Sequence, residues 1–399
     1  LSGGDAPALG IGMVGHAFMG RAHSQAWRSV RAFFDVPCVP VMAALAGRDA
    51  ERVRRAADRL GWASAETDWR ALLRRDDVQL IDICAPGDTH AEIALAALGA
   101  GKHVLCEKPL ANTVAEAEAM AAAAERAAAR GVRAMVAFNY RRVPAVALAR
   151  RLVADGRLGT VRHIRAQYLQ DWLADPEAPL SWRLDRERAG SGALGDIGAH
   201  LVDTAQFITG DRLIGVSALL ETFVTERPLA TASAGLTASA GTERGPVTVD
   251  DAALFLGRTA GGAVALFEAT RFATGRKNAL RIEVNGSRGS LVFDFEAMNE
   301  LWFHDHTLDG GEAGFRRILV TEPSHRYAAA WWPPGHLLGY EHTFTHEIAD
   351  LLSAIAAGTD PSPSFADGLQ VQRVLAAVED SAAGGGGWTP VPFEDAPGP

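Results

Sequence analysis

Among 39 basic residues the chain of 399 residues has only three lysines, Lys102, Lys108 and Lys277. Lys108 stands in Val104–Pro109, at the end of a short apolar run that reads as a buried strand. Arginine stays protonated in proteins, whereas lysine can give up its proton when buried or set beside another cation. A lysine kept at a strand end therefore points to proton chemistry; a surface lysine beside a turn proline is the plainer reading. Asp196 and His200 form the second constellation, a carboxylate and an imidazole four residues apart. On a helix both lie on one face, with Asp203 on the same side. The glycine-rich segment Gly190–Gly195 just before them allows close backbone approach to a ligand. A helix-capping acid and a structural histidine would explain the same pair.

Gly15-His16-Ala17-Phe18-Met19-Gly20 follows a first apolar strand and opens a helix. There the glycines of a G-x-G-x-x-G fingerprint make a tight turn, admit a pyrophosphate and let helix pack on strand. Ala17 replaces the second glycine, adding one methyl group to the approach. The second strand ends in Ala46-Gly47-Arg48-Asp49. An acid at its end would bind the ribose 2′-hydroxyl of NAD, whereas an arginine there suits a 2′-phosphate. Gly47 and Arg48 favour NADP(H); NAD(H) stays open if Asp49 turns inward.

The elements that must position these residues change character along the chain. Strands are expected over Leu9–Val14, Val39–Ala46, Val78–Ala85, His103–Cys106 and Val132–Ala137, with helices between them. Thr113 and Glu116 form a capping box at one helix start. Repeated βα units with continuous apolar strands predict a parallel, doubly wound Rossmann sheet. Beyond Phe138 a helix, Val143–Asp155, leads into strand-like runs separated by glycine turns, and helices over His342–Ala357 and Asp367–Ala382 close the chain. A large, mostly antiparallel open sheet in an α+β domain is expected. The expected domains are 1–138, dinucleotide-binding, and 139–399, substrate-binding and oligomer-forming. Ala232–Thr242 reads as a loop rich in serine, alanine, glycine and threonine, and Gly384–Gly387 as a link to a final strand.

A net charge of −9 argues against nucleic acid or an anionic membrane as partner. No apolar run reaches the roughly 18–20 residues that span a bilayer. The opening residues show no signal-peptide pattern. Three cysteines without paired spacing, Cys38, Cys84 and Cys106, suit reduced thiols and a cytoplasmic location. His304-Asp305-His306 lacks a placed third ligand, and His342 and His346 lack the zinc-protease pattern, so no metal is expected.

Taken together, Gly15–Gly20 with His23 behind it, Glu107-Lys108-Pro109 and Gly195–His200 resemble the glucose–fructose oxidoreductase / inositol dehydrogenase / MocA family over nearly the whole chain. Phe138–Arg142, Tyr168–Trp172 and Ser181–Arg183 are most similar to its pyranose 3-dehydrogenases, levoglucosan dehydrogenase among them. The resemblance implies NAD(P)-dependent hydride transfer from a secondary hydroxyl of a pyranose, anhydrosugar or glycoside, at C3. Inositol oxidation, nucleotide-sugar ketoreduction and cofactor-recycling glycoside cleavage are the alternatives. Lys108 would contact the nicotinamide ribose and the reacting hydroxyl, His200 would act as base, and Asp196 would orient substrate or His200. Tyr140, Gln170, Trp172 and Arg183 would line the sugar pocket. Glu107, Pro86, Thr89 and His90 would border the cofactor, and the Lys108–Pro109 turn permits a cis bond. A homodimer or homotetramer paired through the second domain's sheet is implied. The chemistry agrees: an imidazole is suited to take the hydroxyl proton at neutral pH, and an ammonium beside the same oxygen stabilises alkoxide charge. Trp172, Trp182, Trp331 and Trp332 are candidates to stack on a sugar face.

Overall fold

The computed structural model describes residues 6–234 and 237–393, which leaves the opening five residues and part of the expected 232–242 loop outside the described residues. The chain forms two compact units: residues up to Asn139 joined by Gly339–Leu369, and Tyr140–Ser233, Ala238–Leu338 and Gln370 onward.

In the first unit the strands are β1 (Ala8–Val14), β2 (Val39–Ala46), β3 (Ala65–Glu66), β4 (Leu80–Ile83), β5 (His103–Glu107) and β6 (Ala134–Ala137). They form one parallel sheet in the order β3-β2-β1-β4-β5-β6. The crossovers carry α1 (Phe18–Phe33), α2 (Ala50–Leu60), α3 (Arg70–Leu73), α4 (His90–Gly99) and α5 (Val114–Ala128). β4 is buried throughout, which is why it reads as an unbroken apolar run interrupted only by Asp82. α5 opens on the expected box, with Thr113 accepting from the Glu116 N–H and Glu116 answering. The strand order reverses direction beside β1, so loops after β1 and β4 flank the crevice where such sheets bind ligands.

The second unit opens with α6 (Pro144–Ala154), β7 (Val161–Leu169), α7 (Arg186–Ala189) and α8 (Ala199–Thr209). Then come β8 (Leu213–Glu221), β9 (Glu226–Ala234), β10 (Thr237–Pro246), β11 (Ala252–Thr259), β12 (Val264–Thr270), β13 (Ala279–Gly286), β14 (Gly289–Asp294), β15 (Glu300–Asp305) and β16 (Arg316–Leu319). Nine strands join in one sheet, β16-β15-β14-β13-β7-β12-β11-β8-β17, where β17 is Thr389–Pro390. Only β7 and β12 run parallel. α6 packs over β14 and β15 and α8 over β7 and β13, while Phe255 and Phe267 are buried in β11 and β12 with their rings stacked 4.6 Å apart. Side chains alternate along β11 and β12, so the other face presents Leu254, Leu256, Val264 and Leu266 to solvent.

Two expectations need correction. The segment expected as a loop at 232–242 is strand in its described residues: β9 and β10 pair as a separate two-stranded ribbon. Small polar residues carry weak strand propensity, and ribbon pairing supplies what propensity does not. The second concerns α9 (Tyr340–Ala357), expected in the second domain. It packs in the first unit against α1, with Tyr340 stacked on Phe18 and the Phe344 ring tilted against His23. α10 (Phe365–Ala383) then leads the chain back. No helix among the described residues is long and apolar enough to cross a membrane.

Phe267 is fully buried in the middle of the large sheet. Phe267→Ala is expected to destabilise the protein by about 3–5 kcal/mol in urea denaturation, with the apo fold otherwise retained.

Candidate active site

In the first unit the fingerprint is built around Gly15, whose φ of +100° belongs to the left-handed region. A Cβ there would lie 2.5 Å from the Cys84 carbonyl oxygen, and one at Gly20 would lie 2.3 Å from that of Gly15. Only glycine lets the β1–α1 turn, β4 and α1 approach this closely. α1 begins at Ala17 without a side-chain cap and without an acid in its first turn. Its leading N–H groups are thus available to an anion, as a pyrophosphate requires. Ala17, Phe18 and Met19 form this start, and Phe18 is 39% exposed. The residues present fit a dinucleotide.

Gly47 and His16 lie against each other at the ends of β2 and β1. A Cβ on Gly47 would fall 2.8 Å from the His16 ring, so the glycine makes room for the imidazole. Burial pushes the His16 pKa down, against an opposing backbone hydrogen bond. Arg48 is exposed. Asp49 does not turn inward: it caps α2, accepting the Arg52 N–H at 2.9 Å.

β5 delivers Glu107 and Lys108. The Glu107 Oε2 accepts the Lys108 backbone N–H at 3.1 Å, and the Lys108–Pro109 bond is cis. His90 sits between the Pro109 and Ala85 carbonyl oxygens, 2.9 Å from each, and so braces that turn. Thr89 bonds the Pro86 carbonyl. Beneath lies a buried cluster. His23 Nδ1 lies 2.9 and 3.0 Å from the two Asp82 oxygens, and its Nε2 is 3.0 Å from Glu107 Oε1. Trp27 donates to Asp82 at 2.7 Å. Burial is the largest single influence and disfavours an imidazolium, but the charge and hydrogen bond of Asp82, together with Cys84, outweigh it and hold the His23 pKa well above 6.5.

In the second unit the Gly190–Gly195 segment leads into a π-helical turn, Leu194–Gly198, that runs directly into α8. Asp196 therefore lies inside the turn and is not a helix cap. Asp250 closes the turn's start: its carboxylate accepts the Gly192 and Leu194 N–H groups at 2.6 and 2.8 Å. A Cβ on Gly192 would sit 1.8 Å from the Asp250 carbonyl oxygen, which is what this glycine is for. Arg271, fully buried, bonds the same carbonyl and brings Nη1 to 3.6 Å from Asp196 Oδ2. Burial lowers the Arg183 pKa, and the negative charge of Asp196 opposes that shift.

His200 is 7% exposed, and its ring stacks on Tyr140 at 4.4 Å. From there a polar chain runs outward. Tyr168 donates to Asn278 Oδ1 at 2.7 Å, so its 2.6 Å contact with Tyr140 uses the Tyr140 hydroxyl as donor. Gln170 donates to the same Asn278 oxygen, and Trp172 donates to Gln170. Arg271 lies over the Trp172 ring at 5.5 Å. The structure thus brings Tyr140, Gln170, Trp172 and His200 together, and Asp196 with Arg271. Tyr168, Asn278, Asp250 and Arg271 complete the arrangement without having been singled out from sequence. Tyr168 had a signal, since at the end of β7 it stands two residues before Gln170 and so points to the same side; the other three come from distant strands and loops. Asp203, three residues beyond His200 on α8, grips Arg141 with both oxygens and is buried. Trp331 and Trp332 pack on each other, and Arg183 covers Trp182.

Two outcomes follow from this geometry. Arg271→Met should lower sugar kcat/KM by about 10–100-fold, the worth of a charge-assisted contact, while cofactor Kd stays within twofold in fluorescence titration. The His23 contribution to stability is complete below the ordinary imidazole value and lost as pH rises through the elevated native value. Thermal melts from pH 6 to 10 should show the stability gap between wild type and His23→Gln narrowing toward high pH.

Residues 9–138 match the oxidoreductase family with an NAD-binding Rossmann fold, and residues 146–292 match the GFO/IDH/MocA C-terminal domain. Levoglucosan dehydrogenase of Pseudarthrobacter phenanthrenivorans is 43% identical over 380 residues, covering 94% of this chain and 96% of that protein. An oxidoreductase domain protein from Kribbella flavida superposes with a TM-score of 0.93 at 70% identity, over 97% of this chain and 100% of that one. A levoglucosan dehydrogenase complex with NADH and levoglucosan does so with 0.90 at 42% identity, over 97% and 100%. With two domains matched in order and near full-length identity to a dehydrogenase, the chain belongs to the GFO/IDH/MocA oxidoreductase family.

Proposed function

We propose that the protein oxidises a secondary hydroxyl of a pyranose or 1,6-anhydropyranose, at C3, with a nicotinamide cofactor. The polar chain from Trp172 through Gln170, Asn278 and Tyr168 to Tyr140, ending on the His200 ring, carries this reading. It offers a sugar one aromatic edge and several donors and acceptors on one wall, the mixture a polyol with apolar ring faces requires. The levoglucosan-bound relative supports the same substrate class.

In this reading the bound nicotinamide accepts the hydride. Lys108 donates to the reacting oxygen and stabilises its growing negative charge. His200 takes the hydroxyl proton, and the Tyr140 ring against it fixes the plane from which it does so. Asp196, held near Arg271, orients the neighbouring hydroxyls. The fingerprint residues Gly15–Met19 seat the pyrophosphate on α1, and Pro86, Thr89, His90 and Glu107 border the cofactor. NADP(H) is favoured over NAD(H), because Asp49 is committed to capping α2 while Arg48 is exposed beside Gly47. The NADH found in the relatives is the consideration on the other side. The second unit's exposed leucine face, Leu219, Leu254, Leu256 and Leu266, suits pairing with a second copy. Buried thiols with no disulfide between them favour a reducing, cytoplasmic setting.

A panel of levoglucosan, glucose and myo-inositol, each with NAD and NADP, tests the assignment through the absorbance of reduced nicotinamide. Activity on levoglucosan or glucose is expected, with turnover falling about 10²–10⁴-fold in Lys108→Met and in His200→Asn. Near-normal turnover in both variants would end the reading. Arg48→Ala should weaken NADP binding roughly tenfold or more and leave NAD binding unchanged.

A further inference from the structure

His23, Asp82 and Glu107 are three ionisable side chains in the core of the first unit, and of them only Glu107 has a place above, at the cofactor's border. His23 is 1%, Asp82 0% and Glu107 4% exposed. Ionised groups this deep are held only when fully paired. They come from three elements: His23 from α1, Asp82 from β4 and Glu107 from the end of β5. Both imidazole nitrogens face carboxylates, Nδ1 on Asp82 and Nε2 on Glu107. Asp82 is filled on its other side by Trp27, and Cys84 Sγ lies 3.5 Å away.

A metal centre is the competing reading, since donor atoms of His23, Asp82 and Cys84 lie within 4.8 Å of one another. The hydrogen bonds argue against it. An imidazolium already supplies the positive charge between the carboxylates, and burial pushes the Cys84 thiol up, away from the thiolate a metal prefers.

The last link runs toward chemistry. Glu107 uses Oε1 for His23 and Oε2 for the Lys108 amide. A carboxylate so divided cannot rotate without breaking one bond. We propose that His23 is a positioning residue for Lys108: clamped between Asp82 and Glu107, it fixes the carboxylate that holds the Lys108 amide, and so sets where the ammonium is presented. His90 braces the far side of the same turn through Pro109. A tether of this kind matters because a misplacement of about 1 Å can cost 10²-fold in rate. The inference rests on the reading of Lys108 as the group that holds the reacting hydroxyl.

The scarcity of lysine makes the test direct. Protein carrying lysine labelled with carbon-13 at Cε gives three NMR signals, assigned with Lys102→Arg and Lys277→Arg. In His23→Gln the Lys108 signal is expected to move while those of Lys102 and Lys277 keep their wild-type positions. Turnover of levoglucosan should fall about 10²-fold, with cofactor Kd changed less than threefold. Glu107→Gln, a near-isosteric change, carries the same test should His23→Gln fail to fold. A Lys108 signal at its wild-type position, or displacement of all three signals together, would overturn the proposal. The NMR outcome does not depend on which sugar is turned over. Full turnover in Lys108→Met would instead defeat the functional reading and leave the measured His23–Lys108 link standing.

Discussion

A buried histidine held between two buried carboxylates ties the nucleotide-binding half together. Through His23, Asp82 and Glu107 it joins α1, β4 and β5 at the carboxyl edge of the sheet. Each of those elements also carries a piece of the ligand crevice: the fingerprint turn before α1, the Pro86–His90 loop after β4, and the Glu-Lys-Pro turn after β5. Burying three ionisable groups is costly, and the arrangement holds because nearly every polar valence is used. Close approach of Gly15 to β4 brings His23 within reach of Asp82. Phe344 of α9 closes the cluster by packing on the His23 ring.

The second unit solves a parallel problem with different parts. A π-turn precedes α8, and π-turns are tolerated where something else secures the backbone. Here Asp250 and Arg271 do so, from the loop before β11 and the end of β12. The same arginine stands near Asp196 and over Trp172. One buried guanidinium thus links the support of the turn to two residues assigned to the sugar.

The parallel sheet was legible in the sequence because its strands are apolar runs between helices with marked ends. The limits of Val39–Ala46 coincide with those read from the pattern. Gly15, Lys108, Asp196 and His200 stood out because residue type and spacing were unusual. What escaped was set by tertiary contact. The β9–β10 ribbon has the composition of a loop, and α9 shows an ordinary amphipathic pattern that does not name the face it covers. Asp250 and Asn278 hold their places through bonds across more than 50 positions, and Arg271 through its approach to Asp196, for which local sequence carries no sign. Asp49 was legible as an acid near the second strand's end, but only the bond to Arg52 shows that it is spent on a helix cap.

The central claim is that a secondary sugar hydroxyl loses its carbon-bound hydrogen to nicotinamide. It is tested most directly with levoglucosan deuterated at C3, by mass spectrometry of the reduced cofactor. The account predicts one deuterium in the reduced nicotinamide for each sugar oxidised, with a slowed rate if hydride transfer limits turnover. Oxidised sugar with no deuterium in the cofactor would contradict the site of oxidation. A glycoside cleaved without net cofactor reduction, in place of oxidation, would contradict the reaction itself.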